Sequence, residues 1–445
     1  MKSFIQTLKN IWKIEELRTR ILYTLGILLV YRLCTFVTMP GIDPNLLKGL
    51  QDQTAGGILS LLDMFSGGAF SNASIVALGI MPYISASIVV QLLGIALPYF
   101  QKMQREGESG RRKINQITRF LTILILILQA PTYLLNLQTQ IPEGAFLLGD
   151  NYGWWDKVFH TCILTSGTMF VMWLGERITD KGIGNGISLI IMVGIIARLP
   201  MSLVQEFGRR LENTGGGLVV LLVEIVIWLL VIAISILLVQ GTRKIPVQYA
   251  KRIVGNKQYG GVRQYIPLKV NAAGVMPIIF AQALMFIPIT IAGFTTDGDL
   301  GGFLMAMTNH LGFWYNLIFA LLIIIFTYFY TAVTINPTQM AEDMKRNGGF
   351  IAGVKPGKKT IEYLDSIMSR ITLPGSLFLA FVAILPTFAM LLKIGDQFSQ
   401  FFGGTTLLIM VGVVLDTLQQ VESHLLMRHY DGLMKSGRIK GRSGN

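Results

Sequence analysis

The chain is 445 residues long, 52% hydrophobic and only 14% charged, with a mean hydropathy of +0.55 and a formal net charge of +13. Soluble globular domains carry about 25% charged residues, so this composition excludes a water-soluble fold and points to a polytopic membrane protein. With only two cysteines, Cys34 and Cys162, neither a disulfide framework nor a cysteine metal site is expected.

Residues 1–20 are charged and amphipathic with no signal-peptide h-region, so no cleavable leader is expected. Phe4, Ile5, Leu8, Ile11, Trp12 and Ile14 suit one face of a helix lying on the membrane surface. A membrane-crossing helix needs roughly 20 apolar residues. About ten segments qualify, near 21–39, 73–97, 119–137, 158–176, 184–200, 217–240, 271–293, 314–335, 372–391 and 405–427. The fold class is therefore all-α, with about ten transmembrane helices. The stretch from Asp63 to Ser87 is the exception in texture. It is broken by Gly67, Gly68, Gly79 and Pro82 and seeded with hydroxyls. In a bilayer, interrupted backbone survives only where protein covers it or water reaches it, and half-helices of this kind mark binding or conduction sites.

Charge fixes the expected orientation. About 31 of the 38 Lys and Arg fall in the two termini and in alternate connections. By the positive-inside rule, those segments and both termini are cytoplasmic. Two of the cytoplasmic loops are long. Gly241–Lys269 interleaves seven basic residues with Tyr249, Tyr259 and Tyr265, and Asn336–Ile371 carries six basic residues with Gly and Pro at its tip. Such loops suit an RNA surface or an acidic protein partner. Topogenic charge in contact with anionic lipid is the alternative. The expected organisation is an N-terminal half at 1–240, a docking loop at 241–270, a C-terminal half at 271–427 and a basic tail at 428–445.

No enzymatic signature is present: no metal-binding His-Glu-x-x-His, no Gly-x-Ser-x-Gly and no phosphate-binding glycine loop. No cofactor or metal is expected. Gly182-Ile-Gly-Asn-Gly186 reads as a tight turn with close helix packing. Arg32, Glu224 and Asp416 fall inside spans, but three scattered charges do not make a proton relay. Ile80 and Ile84 share a face flanking Pro82, and Ile187 and Ile191 repeat the spacing after the glycine turn. If those faces converge, they form an apolar constriction that excludes ions by dewetting. On these residues alone a channel and a secondary transporter both remain open. A polytopic enzyme would need a nucleophile, metal or acid–base dyad at one depth.

Several strings, taken together, resemble the SecY/Sec61-alpha family, the channel-forming subunits of the Sec protein translocase. They are Met64-Phe-Ser-Gly-Gly-Ala69, Ala77-Leu-Gly-Ile-Met-Pro-Tyr-Ile-Ser-Ala-Ser87, Glu106-Gly-Glu-Ser-Gly-Arg-Arg-Lys113, Gly182-Ile-Gly-Asn-Gly-Ile-Ser188, Tyr249-Ala-Lys-Arg252, Pro267-Leu-Lys-Val-Asn271 and Phe402-Gly-Gly-Thr405. The resemblance implies two pseudo-symmetric five-helix halves around a central pore in a bacterial plasma membrane. It implies a gated conduit that translocates unfolded secretory polypeptide and releases transmembrane helices laterally. Residues at about 58–70 would be a plug, including Met64, Phe65, Ser66, Gly67 and Gly68, with the glycine pair letting the piece hinge and leave. A pore ring would comprise Ile80, Ile84, Ile187, Ile191, Ile279 and Ile409. Spans two and seven would form a lateral gate, where Ser85, Ser87, Gln91, Asn271 and Gln282 could hydrogen-bond across the seam at ~1 kcal/mol each. The implied partners are the small membrane subunits SecE and SecG, the SecA ATPase, the ribosome, signal peptides, nascent polypeptides and anionic lipid. Docking would use Arg252, Asn256, Lys257 and Lys355. The family pattern has an arginine pair at the first loop tip and an arginine before Pro-Gly in the second. Here Asn256-Lys257 and Lys355 stand instead, and lysine cannot reproduce arginine's forked contacts.

Overall fold

The computed structural model describes residues 12, 14–47, 63–140, 153–212, 217–249, 252–254, 257–259, 263–292 and 312–435. The helices are α1 (Glu15–Cys34), α2 (Met81–Ala96), α3 (Pro98–Arg105), α4 (Glu108–Gln140), α5 (Trp154–Lys181), α6 (Gly186–Glu212) and α7 (Gly217–Gln240). Four strands follow: β1 (Thr242–Tyr249), β2 (Arg252–Val254), β3 (Lys257–Tyr259) and β4 (Arg263–Lys269). The chain continues through α8 (Met276–Ala292), α9 (Phe313–Thr334), α10 (Pro337–Arg346), β5 (Gly349–Phe350), α11 (Lys358–Leu391), α12 (Asp396–Ser399) and α13 (Gly404–Lys435).

Among the described residues, seven helices are long and apolar enough to cross a membrane, or eight if the bent α2–α3 pair is one span. α8, described over 17 residues, and α1, which opens with Glu15, Glu16, Arg18 and Arg20, occupy the other two expected spans. Two span boundaries move. The second span was expected from residue 73, but 67–80 is a run of turns and α2 begins at Met81 with Pro82 in its first turn. Proline suits that position because its missing N–H would have no intrahelical partner there. The fifth span, expected over 184–200, continues as α6 to Glu212 through Pro200.

The chain divides into two compact units, Met1–Val204 with Val413–Asn445, and Gln205–Gly412. In the first unit, α5 and α6 meet at the expected glycine turn. Gly184 has φ +82°, and a Cβ on Gly186 would lie 1.9 Å from the Gly175 carbonyl oxygen, so only glycine admits this helix contact. Thr24 Oγ1 accepts from Ile183 N, and Gln420 Oε1 accepts from Gly184 N, pinning the turn to α1 and α13.

In the second unit, the two long basic loops join in one body. β1 and β4 pair antiparallel from Thr242↔Lys269 to Gln248↔Arg263, and β5 adds to β1 at Gln248 and Tyr249. Ile245, Val247, Leu268, Ala341, Met344, Ile351, Leu364 and Met368 form a core beneath the hairpin, shared by the sheet, α10 and the first turns of α11. Alternate β1 residues Ile245 and Val247 are buried while Arg243, Lys244 and Pro246 are exposed, the period-2 signature of a half-covered strand. Asn336 caps α10 by accepting from Thr338 N and Gln339 N.

Candidate functional site

Between α1 and α2 of the first unit the chain runs as a helical turn at 63–66 and then as successive turns to Ile80. Of the expected plug, residues 58–62 lie outside the described residues. Met64, Phe65, Ser66, Gly67 and Gly68 are all buried. A segment with so little regular structure must find its hydrogen bonds elsewhere, and it does so by two routes. Locally, Asp63 Oδ1 accepts from Ser71 N at 2.8 Å, Ser66 Oγ accepts from Phe70 N at 3.1 Å, and Ser71 Oγ donates to Gly68 O at 3.2 Å. These are the hydroxyls that the sequence scatters through the stretch.

The second route is through the surrounding helices. From α1, Tyr31 OH donates to Ser66 O at 3.1 Å and Arg32 Nη1 donates to Gly67 O at 2.8 Å. From α4, Tyr133 OH donates to Phe70 O at 3.1 Å while its ring meets Phe70 edge-on at 4.8 Å. From α6, Arg198 Nη2 forms an ion pair with Asp63 Oδ2 and donates to Ser71 Oγ at 2.7 Å. Further along, Met39 N donates to Ala73 O and Ile75 N to Val37 O, so the strand-like end of the segment zips onto the chain after α1.

This geometry gives the glycine pair a reason other than the expected hinge. Gly67 has φ +66° and Gly68 φ +93°, conformations that cost an L-residue about 1–2 kcal/mol. A Cβ on Gly67 would stand 2.7 Å from Arg32 Nη1 and 2.8 Å from Gly194 Cα, and one on Gly68 would stand 2.8 Å from Arg198 Nη2. The two glycines are the cradle on which two guanidinium groups lie. Gly194 completes it: its own Cβ would meet Phe65 O at 3.0 Å.

The remaining expected residues are distributed as follows. Ile80 precedes α2 and accepts from Ile84 N at 3.1 Å, which keeps the two on one face. Ile80, Ile191 and Ile409 are buried; Ile84, Ile187 and Ile279 are half-buried. On α2, Ser85 Oγ donates to Met81 O and Gln91 Nε2 to Ser87 Oγ, so these polar groups find partners within their own helix. Asn271 and Gln282 are buried, with Asn271 Oδ1 lacking a hydrogen-bond partner among the described residues. Arg252 lies on β2 and Lys257 on β3, while Asn256 lies outside the described residues. Lys355 is exposed just before Pro356 and Gly357.

The three charges expected inside spans lie on α1, α7 and α13. Arg32 holds the Gly67 carbonyl and lies 5.5 Å over the Phe36 ring. Asp416 is exposed on α13. Glu224 belongs to a clasp in the second unit. There Arg210 pairs with both Glu206 and Glu224, Gly395 N donates to Glu206 Oε2 at 2.9 Å, and Arg209 and Arg210 both donate to Lys393 O. Asp63, Tyr31, Tyr133 and Arg198 were not picked out from sequence. Arg198 lies within the fifth expected span, and a charge inside an apolar helix is itself a signal to look for a partner.

The SecY family model matches residues 74–418. The protein translocase subunit SecY of Mycobacterium bovis is 40% identical over 460 residues, covering 98% of this chain and all of that protein. A solved structure described as that of a protein conducting channel covers 95% of this chain and 94% of its own, with a TM-score of 0.60 at 19% identity. Sec61 in the canine ribosome-channel complex from the endoplasmic reticulum gives a TM-score of 0.56 at 18% identity, over 95% of this chain and 94% of that one.

Proposed function

The chain belongs to the SecY family of protein translocase subunits, and from that premise we propose that the segment Asp63–Phe70, the described part of 58–70, is the plug of a protein-conducting channel for unfolded polypeptide. The observation that carries the reading is the segment itself. It is irregular backbone at a place where bilayer physics forbids exposure, and it is buried by helices of its own unit through side chain–backbone bonds. Such bonds hold a stopper without making it part of a helix, so it can leave as one piece.

In this reading the six isoleucines Ile80, Ile84, Ile187, Ile191, Ile279 and Ile409 form the pore ring, and α2 and α8 form the lateral gate through which transmembrane helices enter lipid. That gate would take in Ser85, Ser87, Gln91, Asn271 and Gln282, of which Ser85 and the Ser87–Gln91 pair hydrogen-bond within α2. The body built from both basic loops would be a cytoplasmic docking platform for the ribosome and the SecA motor, using Arg252, Asn256, Lys257 and Lys355. Directionality comes from those partners. SecE and SecG would complete the complex, anionic lipid would meet the basic loops, and both termini would face the cytoplasm of a bacterial plasma membrane. The apolar, partner-free ring supports a passive conduit rather than an enzyme.

Ion conductance of the purified channel in planar bilayers tests the reading, comparing the wild type with Ile84→Gly plus Ile191→Gly. A silent wild type and a leaky variant are expected. A variant that stays silent while folded removes these isoleucines from the seal.

A further inference from the structure

When the plug leaves, two arginines lose their partners. Arg32 gives up the Gly67 carbonyl, and Arg198 gives up both the Asp63 carboxylate and the Ser71 hydroxyl. Both guanidinium groups belong to helices, α1 and α6, that stay in the membrane, and both bear on the same two-residue cradle, Gly67 and Gly68. Two uncompensated cations in such a place are costly. Whatever takes the plug's position therefore meets a site already shaped for a carboxylate, and the plug's own Asp63 is its tethered occupant.

We propose that Arg32 and Arg198 form a carboxylate-binding site for acidic side chains of the translocating polypeptide, exposed only when the plug is displaced. The proposal rests on the plug reading and deepens it. An Asp or Glu on the passing chain exchanges with Asp63: one ion pair opens as another forms, and no bond is made or broken. Arg198 presents two contacts from one nitrogen, to the Asp63 carboxylate and to the Ser71 hydroxyl. Arg32 adds a second donor alongside, and guanidinium is suited to forked contacts with a carboxylate. A basic stretch at the same place meets repulsion instead.

The test uses the complete channel reconstituted in vesicles and a polypeptide stalled in transit by a folded tag. A short block of Asp, Asn or Lys is placed where it spans the plug position. The readout is the rate at which the stalled chain slides back. In the wild type, the Asp block is expected to be released about fivefold more slowly than the Asn block, the factor for one solvent-accessible ion pair, and the Lys block faster than either. Arg32→Gln with Arg198→Gln should abolish the difference, and Arg198→Lys should retain it. Equal release of Asp and Asn blocks from the wild type overturns the proposal without any variant. If no polypeptide enters the wild-type channel at all, the conduit reading fails and not this site alone.

Discussion

The two arginine–carboxylate clusters differ in how far apart the chain brings their members and in what the arginine holds. Arg198 and Asp63 are 135 residues apart, and the pair joins a helix to an irregular segment. Glu206 and Arg210 are one helical turn apart on α6, and Glu224 follows across the short connection to α7. Solvent separates them as well. Arg198 is 28% exposed and Asp63 11%, whereas Arg210 is 14%, Glu224 6% and Glu206 1% exposed. A buried pair that loses one member strands the other, while a partly hydrated pair can change partners. The second cluster is suited to permanence, fastening two helix ends to the Lys393–Gly395 turn. The first is suited to release.

The largest expected effect comes from breaking the permanent cluster. Arg210→Ala removes the shared partner of the buried carboxylates Glu206 and Glu224 and should cost about 3–5 kcal/mol, the usual result of leaving a buried charge unpaired. Denaturant unfolding of the purified protein in detergent measures it. A loss below about 1 kcal/mol would mean that water screens the cluster like a surface pair, and the contrast between the clusters would disappear.

The releasable cluster should show coupling rather than collapse. Asp63→Asn and Arg198→Gln should each loosen the proposed plug, and the double variant should be no leakier than the worse single one. A cycle on resting ion leak is expected to give an interaction of about 0.5–3 kcal/mol. Strict additivity would show that the ion pair plays no part in closure.

A smaller effect separates conformation from crowding. Gly67→Ala meets both a positive φ and the two close atoms of Arg32 and Gly194, whereas Gly107, with φ +69°, has nothing within 4 Å of its absent Cβ. Gly107→Ala should cost only the conformational part, about 1–2 kcal/mol. Gly67→Ala should cost more in thermal stability and should alone raise the resting leak. Equal behaviour of the two variants would remove the cradle from the explanation.

Much of this molecule is legible in its sequence because bilayer physics narrows the choices: long apolar runs and one broken stretch can be read as helices and a site. The glycine turn at 182–186 and the interrupted backbone between α1 and α2 were legible for that reason. What stayed hidden depends on contacts between distant residues. Nothing local in Arg198 says that its partner is Asp63, and the hydroxyls of Tyr31 and Tyr133 read as ordinary span aromatics. The β1–β4 hairpin was hidden for another reason. Its alternation of Ile245 and Val247 with Lys244, Pro246 and Gln248 is short, and its core comes from α10 and α11, about a hundred residues later. The glycine pair was located from sequence, but its close approach to Arg32 and Arg198 was not, since flexibility and close approach ask for the same residue.

Tyr133 offers the finest test of what holds the segment. Its ring packs edge-on against Phe70, and its hydroxyl donates to the Phe70 carbonyl. Tyr133→Phe keeps the first contact and removes the second. The carbonyl left behind is buried, so the change should cost about 1 kcal/mol, a typical net hydrogen bond. Because Tyr133 stands on α4 and touches neither arginine, its loss should add to that of Asp63→Asn rather than couple with it. Resting conductance of the two single variants and their combination decides this. Additive leaks mean that the segment is held by separate fasteners, each weak enough to yield in turn. Strong coupling would mean that the segment moves as one rigid body whose contacts all fail together, and release would then need a single larger push from the entering chain.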